Sequence, residues 1–440
     1  MTEGLLEQLI EWLKIPSVSS GGGDPAELAR AAEWARDRIL EAGGTAEILG
    51  GSGNPLVIGE LRAGNDDAPT VLIYGHYDVQ SADPVDLWTS PPFEPQVRDA
   101  RLYARGACDD KGNFWPLLFV ACELAGTGDL PVNVRVLVEG EEEVGGDSAA
   151  SWVVADERGA DCAIVFDSDM VDEDTPAITL GVRGMVMTSI TVRVAPRDLH
   201  SGIYGGSVKN AAHVLHEMLA TILPGPDGRL REELRVGIEG PSDEELQTWG
   251  KLRSGDAVIS EVSALPLDAD SGREYYIRNG ADASLDVHGI ATGDAVQIRT
   301  IVPATATCKL SVRLAPGQRS GEIAKNLVAI LEEAAPGDAD VRVEVLSTAE
   351  PAVFDPESAP LLVARAAIEE VTGTEPALVR VGGSLPVLAA FAERGIPTIL
   401  SGFALAADNM HGADESFRLE SLRLGEAAAR VLYARLANLR

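Results

Sequence analysis

Three apolar runs in this chain end the same way, with acids or a histidine directly after the last strand-forming residue. Val71-Leu72-Ile73-Tyr74 leads into Gly75-His76-Tyr77-Asp78-Val79. The alternating Val132, Val134, Val136 and Val138 lead into Glu139-Gly140-Glu141-Glu142-Glu143, and Cys162 to Phe166 stops at Asp167. Helical stretches separate these runs, so the order predicts an α/β fold, a sheet flanked by helices. Open sheets of that class place their ligands at the carboxyl ends of the strands, where the polar residues fall. One pattern thus constrains the fold and the site together. His76 and Asp78, two apart, share a face if the strand runs through them, which suits a metal site or an acid/base pair.

The connecting segments carry helix signals. Asp24 to Gly43 has Asp24 as N-cap, Pro25 in the first turn, Glu27 three residues after the cap and a Gly-Gly stop. Asn113 to about Ala125 is a second helix, and Asp147 caps a third. The segment MTEGLLEQLIEWLKIPS carries leucines at helical spacing and no basic leader, and is expected to be an amphipathic helix ended near Pro16 rather than a signal peptide. From about Met185 the character changes. Strands around Ile190 to Val194, Leu285 to Ile290, Thr307 to Leu314 and Val341 to Leu346, with helices from Ser207 to Leu223 and from Ser320, predict an antiparallel sheet with helices on one side. A long acidic, Gly/Pro-rich span reaches Gly280 between them. After Pro351 the α/β pattern resumes and ends in a helix behind the loop from Asp408 to Glu415. The expected organisation is an α/β domain in two parts, 1–184 and 351–440, with its mixed sheet between helices, interrupted by an α+β domain at 185–350.

At 440 residues, two domains are the natural expectation, and 45% hydrophobic with 24% charged residues is ordinary for a soluble globular chain. A net charge of −33 argues against nucleic acid or an anionic membrane as partner, since both would be repelled. Cys108, Cys122, Cys162 and Cys308 are scattered without a CxxC pair, which predicts thiols in a reducing compartment. No apolar run is long enough to span a bilayer. The expected location is the cytoplasm.

Four of the five residues from 139 to 143 are glutamates, and carboxylates packed so closely oppose ionisation unless a cation offsets them. Taken singly, each candidate has an ordinary reading: an acidic turn for the glutamates, a helix cap for Asp109 and Asp110, a loop acid for Asp167, a surface histidine for His411. Together, His76, Asp109, Glu143, Asp167 and His411 all stand at strand ends or in loops of one α/β domain. Two histidines with three carboxylates suit zinc or a similar divalent ion better than magnesium or calcium, which favour all-oxygen sites.

The segments GHYDV, RGACDDKG, EGEEEVGG, Asp167 followed by TPAITLGVRG, DLHSGIYGG, RTIVPATATCKLSVRLAPGQ, GGSLP and DNMHGADE occur in that order. In this the chain resembles the dinuclear zinc amidohydrolases that include carnosinase and related dipeptidases, carboxypeptidase G, aminoacylase and bacterial N-acyl amino acid deacylases. DLHSGIYGG and the double acid of CDDKG resemble the carnosinase-like dipeptidases more narrowly. The resemblance implies two divalent ions per subunit, zinc with manganese or cobalt as alternatives. It makes His76, Asp109 and Asp167 the ligands of one ion and Asp109, Glu143 and His411 those of the other, with Asp109 bridging. It implies that Asp78 orients the histidine ligand and that Glu142 is the general base, acting on a water that bridges the metals. His200 and Thr300 match residues of a lid and dimerisation domain that reach the neighbouring subunit's site, His200 stabilising the oxyanion. Arg313, Gly383 and Ser384 match groups that hold the substrate carboxylate. The implied partners are a small peptide or N-acyl amino acid and, through the inserted domain, a second copy of the chain.

The chain departs from the family pattern in places. Ala104 stands where Gly is common, Phe166 rather than Ser precedes Asp167, and Asp169 follows as a rival ligand to Asp167. Cys108 occupies a variable position. His213, His216 and His288 are read as residues without chemistry. The expected activity is hydrolysis of the peptide bond of dipeptides or short peptides with a free carboxyl terminus. The alternatives are deacylation of N-acyl amino acids and, more distantly, a metal-free binding protein.

Overall fold

The four central strands of the main sheet run parallel, and that alignment fixes where their polar ends go. In space they follow the order Asn133–Glu139, Thr70–His76, Cys162–Phe166 and Thr398–Ser401. Glu139 lies opposite His76, Val165 opposite Tyr74 and Ser401 opposite Phe166, so all four carboxyl ends open on one edge. Leu56–Leu61 and Thr45–Leu49 extend the sheet antiparallel on one side, and Ala177–Val182 joins antiparallel on the other. The sheet is therefore mixed, as expected. The computed structural model describes residues 1–21, 23–50, 53–65, 67–294, 296–383 and 385–439. They divide into two compact units, one of Met1–Leu180, Phe354–Val379 and Leu385–Arg440, the other of Gly181–Val353 and Arg380–Ser384. Ser384 itself lies outside the described residues.

Every residue of Asn133–Glu139 and of Cys162–Phe166 is buried, which is the reason these runs are apolar almost throughout. The exception, Arg135, is buried with its Nη1 2.7 Å from Asp156 and its guanidinium over the Trp152 ring. The alternation of valines along this buried strand thus comes from one buried, ion-paired arginine and a polar first residue. Helix Pro25–Glu41 starts as its signals predict, with the Asp24 side chain accepting from the Ala26 N–H at 2.9 Å, and packs on the Thr45–Leu49 and Leu56–Leu61 strands. Leu5–Leu13 forms the amino-terminal helix and buries Leu5, Leu9, Trp12 and Leu13. Trp12 stacks on Trp34 with centroids 4.9 Å apart, and the buried Lys111 donates to the carbonyls of Trp12 and Ile15 at 3.3 and 3.1 Å. Lys111 opens helix Lys111–Thr127, which begins two residues before the expected Asn113 and packs against the Thr70–His76 strand and the final helix Leu419–Leu436.

The second unit holds a separate antiparallel sheet in the order Ser284–Thr292, Thr305–Leu314, Gly184–Arg193, Asp340–Ala349. Burial alternates residue by residue along most of Gly184–Arg193, the period-two signature of a sheet with one covered face. Helices Ala211–Ala220 and Ser320–Ala334 supply the cover, with Leu215, Met218, Leu327 and Leu331 in one core with Ile190, Leu310 and Val312. The first of these helices begins at Ala211, not at Ser207, because Asn210 is its cap and accepts from the Ala212 N–H at 2.9 Å. The acidic span contains short helices Asp243–Trp249, Gly255–Glu261 and Tyr275–Gly280, the first closed by a capping box between Ser242 and Glu245.

Gly75 is the point where the His76 strand meets the Lys111–Thr127 helix. A Cβ there would fall 2.4 Å from atoms of the Phe114 ring, closer than side-chain contacts allow. Gly75→Ala is therefore expected to destabilise the protein by about 1–3 kcal/mol, the usual range for overpacking a core. Urea denaturation measures it, and an unchanged midpoint would show that the ring can yield.

Candidate metal centre

His76 is the last residue of its strand and is fully buried. Its Nδ1 lies 3.0 Å from the Asp78 carbonyl oxygen and 3.5 Å from Asp78 Oδ1, which turns Nε2 toward Asp109 Oδ1 at 3.1 Å. The other oxygen of Asp109, Oδ2, is 2.8 Å from His411 Nε2, and that same nitrogen is 3.1 Å from Glu143 Oε2. One carboxylate thus stands between two imidazoles with an oxygen for each. Two groups of side chains place their candidate ligand atoms within 4.8 Å of one another: His76, Asp109 and Asp167, and Asp109, Glu143 and His411. Asp109 is common to both. Asp167 is set by the parallel sheet, its N–H donating to the Ser401 carbonyl at 3.1 Å, while Asp169 bridges to Ala404 further along and joins neither group.

The glutamates after the Asn133–Glu139 strand separate by role. Glu139 is buried and accepts from the Tyr74 hydroxyl. Glu141 accepts from the backbone N–H groups of Asn54 and Ser148 at 3.0 and 2.9 Å, tying the next helix to the sheet. Glu142 and Glu143 form a short 3₁₀ turn with Val144, and the Asp78 carboxylate accepts from the N–H groups of both, at 3.3 and 3.2 Å. Asp78 is therefore joined to His76 and to the turn bearing Glu142. Gln80, which no sequence signal singled out, donates to Glu143 Oε2 at 2.9 Å and to its carbonyl at 3.1 Å. Gly140 makes this turn possible, since a Cβ would lie 2.2 Å from the Tyr77 hydroxyl.

Burial raises the Asp167 and Asp110 carboxyls well above the usual range; Asp109 and Glu142 add to both, and Asp110 adds to Asp167. Burial, then the Glu143, Asp109 and Asp78 carboxylates, hold Glu142 at about 7 against the pull of His76. Burial would lower His76, but hydrogen bonds to Asp109 and Asp78 override it and raise the imidazole well above its ordinary value. Hydrogen bonds to Asp109 and Glu143 raise His411 to about 10. Asp109, despite burial, is lowered by the two histidines. The shifts share a cause, negative charge crowded into a buried site, which the nearby His76 and His411 partly offset. Divalent ions fit such a site: they let the imidazoles be neutral donors and the carboxylates ionised ones. The mixed nitrogen and oxygen donor set also suits a borderline transition ion better than an all-oxygen cation.

His200, Thr300, Arg313 and Gly383 belong to the second unit. His200 pairs with Ile301 in a two-stranded ribbon, is exposed, and accepts through Nδ1 from the Gly202 N–H at 3.0 Å. The Thr300 carbonyl accepts from the Ser201 N–H at 2.9 Å, so Thr300 adjoins His200. Arg313 lies on the Thr305–Leu314 strand opposite Ser284 and Met185.

Comparison with known proteins bears on the first unit's site directly. The model of Peptidase family M20/M25/M40 matches residues 72–435, which contain every member of both ligand groups. The chain belongs to peptidase family M20/M25/M40. Human beta-Ala-His dipeptidase is 29% identical to this M20 peptidase over 353 residues, 77% of this chain and 69% of that protein. Cysteinylglycine-S-conjugate dipeptidase of Corynebacterium striatum is 28% identical over 390 residues, 84% of this chain and 82% of that protein. The M20 family metallo-carboxypeptidase of Sulfolobus solfataricus superposes with a TM-score of 0.88 at 25% identity, covering 100% of each chain. The protein is thus a peptidase whose clustered histidines and carboxylates offer donors for divalent metal. Among the described residues no helix is long and apolar enough to cross a membrane.

Asp78→Asn should weaken zinc binding by about 10–100-fold, the usual effect of removing a group that orients a ligand. Calorimetric titration of metal-free protein reads this, and wild-type affinity would place the orienting function on the Asp78 carbonyl alone.

Proposed function

We propose that this M20 peptidase hydrolyses the peptide bond of dipeptides or short peptides with a free carboxyl terminus, using two divalent ions per subunit. Zinc is the ion proposed, with manganese or cobalt able to use the same donors. The observation that carries this reading is the Asp109 carboxylate, with one oxygen toward His76 and the other toward His411. His76, Asp109 and Asp167 hold one ion, and Asp109, Glu143 and His411 the other. When bound, the ions polarise the scissile carbonyl and make the attacking water more acidic.

The remaining steps fall to the chain's own side chains. Glu142 takes the proton of the attacking water and later delivers it to the leaving amine. Its place beside Glu143, on a turn whose N–H groups bond to Asp78, supports this role. Asp78 keeps the His76 ring in place. Arg313, with Gly383 and Ser384, grips the substrate's terminal carboxylate, a task that suits a guanidinium's paired donors. His200 donates to the oxyanion. The bond from Gly202 commits its Nδ1 as acceptor and leaves the proton on Nε2, the tautomer such a donor needs. His200 and Thr300 serve the site of a second subunit in a homodimer formed through the inserted domain. The dipeptidase names of two relatives favour peptides over N-acyl amino acids. Four free thiols support a cytoplasmic location.

Purified protein should hydrolyse dipeptides faster than acetyl- or succinyl-amino acids and lose activity on chelation; the reverse preference would make it a deacylase, and full activity without metal would end the reading. Glu142→Ala should keep its metal content and lose at least about 10²-fold in turnover. A normal turnover number would remove Glu142 as the base. Mixing inactive Glu142→Ala with His200→Ala subunits should restore partial activity, because a mixed dimer contains one intact site. No recovery in a verified mixed dimer would place His200 in its own subunit's site.

A further inference from the structure

Arg105 and Glu415 form a salt bridge at 2.7 Å with side chains 2% and 1% exposed, next to the candidate metal centre and 310 residues apart in sequence. A buried ion pair is seldom a net source of stability compared with apolar side chains of the same size, so its retention calls for another reason. The reason lies in what the two groups hold. Glu415 Oε2 accepts from the Gly106 N–H at 2.9 Å, and Oε1 accepts from the N–H groups of Cys108 and Asp109 at 2.9 and 3.2 Å and from the Cys108 thiol at 3.3 Å. These are successive points along the loop that presents Asp109. Arg105 uses Nη1 on Glu415 and Nη2 on three carbonyls: Ser81 at 3.1 Å, His411 at 3.3 Å and Gly412 at 3.1 Å.

The turn around His411 has a conformation that needs support. Asn409, His411 and Asp414 have φ of 58°, 60° and 56°, the left-handed region that costs residues other than glycine. The Arg105 guanidinium takes up the carbonyls this turn points inward, while its partner Glu415 gathers the N–H groups of the Asp109 loop. The pair therefore spans the segments that carry three of the proposed ligands: Ser81 follows His76, and the other contacts flank Asp109 and His411.

We infer that the Arg105–Glu415 pair is a positioning device for the metal centre, holding the Asp109 loop and the His411 turn at the spacing their shared ion requires. It touches neither substrate nor metal and acts through Asp109 and His411. The inference rests on the reading of those two residues as ligands. Neither group carries a role in the activity proposed above.

The test uses the full chain freed of metal and titrated with zinc ion in a calorimeter, together with thermal melts of the metal-free form. Arg105→Lys keeps a cation for Glu415 but cannot serve it and three carbonyls at once; Glu415→Gln keeps an acceptor for the Asp109 loop but loses the charge. Each variant should fold, bind at least one of the two ions about tenfold or more weakly than wild type, and lose hydrolysis at limiting metal that excess metal restores. Wild-type zinc affinity in a folded variant overturns the inference and leaves the metallopeptidase reading intact. If neither variant folds, the pair is a folding element and the inference fails. Wild-type protein that binds no zinc would overturn both.

Discussion

The Asp109 carboxylate between His76 and His411 is the contact on which the rest of the site depends. Its two oxygens, 3.1 and 2.8 Å from the two imidazoles, make sense only if three segments distant in sequence arrive together. The parallel strands bring them there. His76 ends one strand, the Glu142–Glu143 turn follows its neighbour, Asp167 follows the next, and the loop after Thr398–Ser401 carries His411. An error of one residue in register would move His76 from opposite Glu139 and turn its side chain to the other face of the sheet. The buried, nearly uninterrupted apolar bodies of these strands make such a slip costly, so packing far from the site protects the spacing within it.

The same arrangement works against the stability of the chain by itself. Asp78, Asp109 and Asp110 are buried with His76, and Glu142, Glu143 and Asp167 crowd against them. Burial raises Asp110, Asp167 and Glu142 above the usual carboxylate range, and the neighbouring carboxylates add to it, so the cluster opposes its own ionisation. The net charge of −33 offers no relief from the surface. A site of this kind gains from binding positive ions what it loses in their absence, and folding and metal binding are linked through it.

Much of this was legible before any coordinates, because the signals are local. An apolar run followed by an acid or histidine is read from a few consecutive residues, as is a cap such as Asp24. The capping box of Ser242 and Glu245 was equally readable, yet the acidic, Gly/Pro-rich span around it drew no helix assignment from sequence. What stayed hidden depends on distance. Within EGEEEVGG the residue types alone do not separate Glu141, which binds the N–H groups of Asn54 and Ser148, from Glu143, which faces His411; only the family resemblance singled out Glu143. Arg105 and Glu415 each lie inside a recognisable motif, but 310 residues separate them, so no pattern within either segment shows that they meet. Gln80 was passed over because a glutamine one residue beyond GHYDV has no chemistry until its partner, Glu143, is known.

Asp78 shows how such partnerships alter the reading of a motif. From sequence it is the acid that steadies a histidine, and its Oδ1 does lie 3.5 Å from His76 Nδ1. The shorter contact to that nitrogen, 3.0 Å, comes from its own carbonyl oxygen. Its carboxylate instead takes the N–H groups of Glu142 and Glu143, and Gln80 adds its own hydrogen bonds to Glu143. A carboxylate accepting two backbone N–H groups fixes a turn more firmly than it orients a ring it meets at 3.5 Å. The consequence is that GHYDV contributes a proposed ligand through His76 and, through Asp78, sets the distance from that ligand to the glutamate proposed as base. His76 at the strand's last position and Asp78 just beyond it thereby govern both halves of the site.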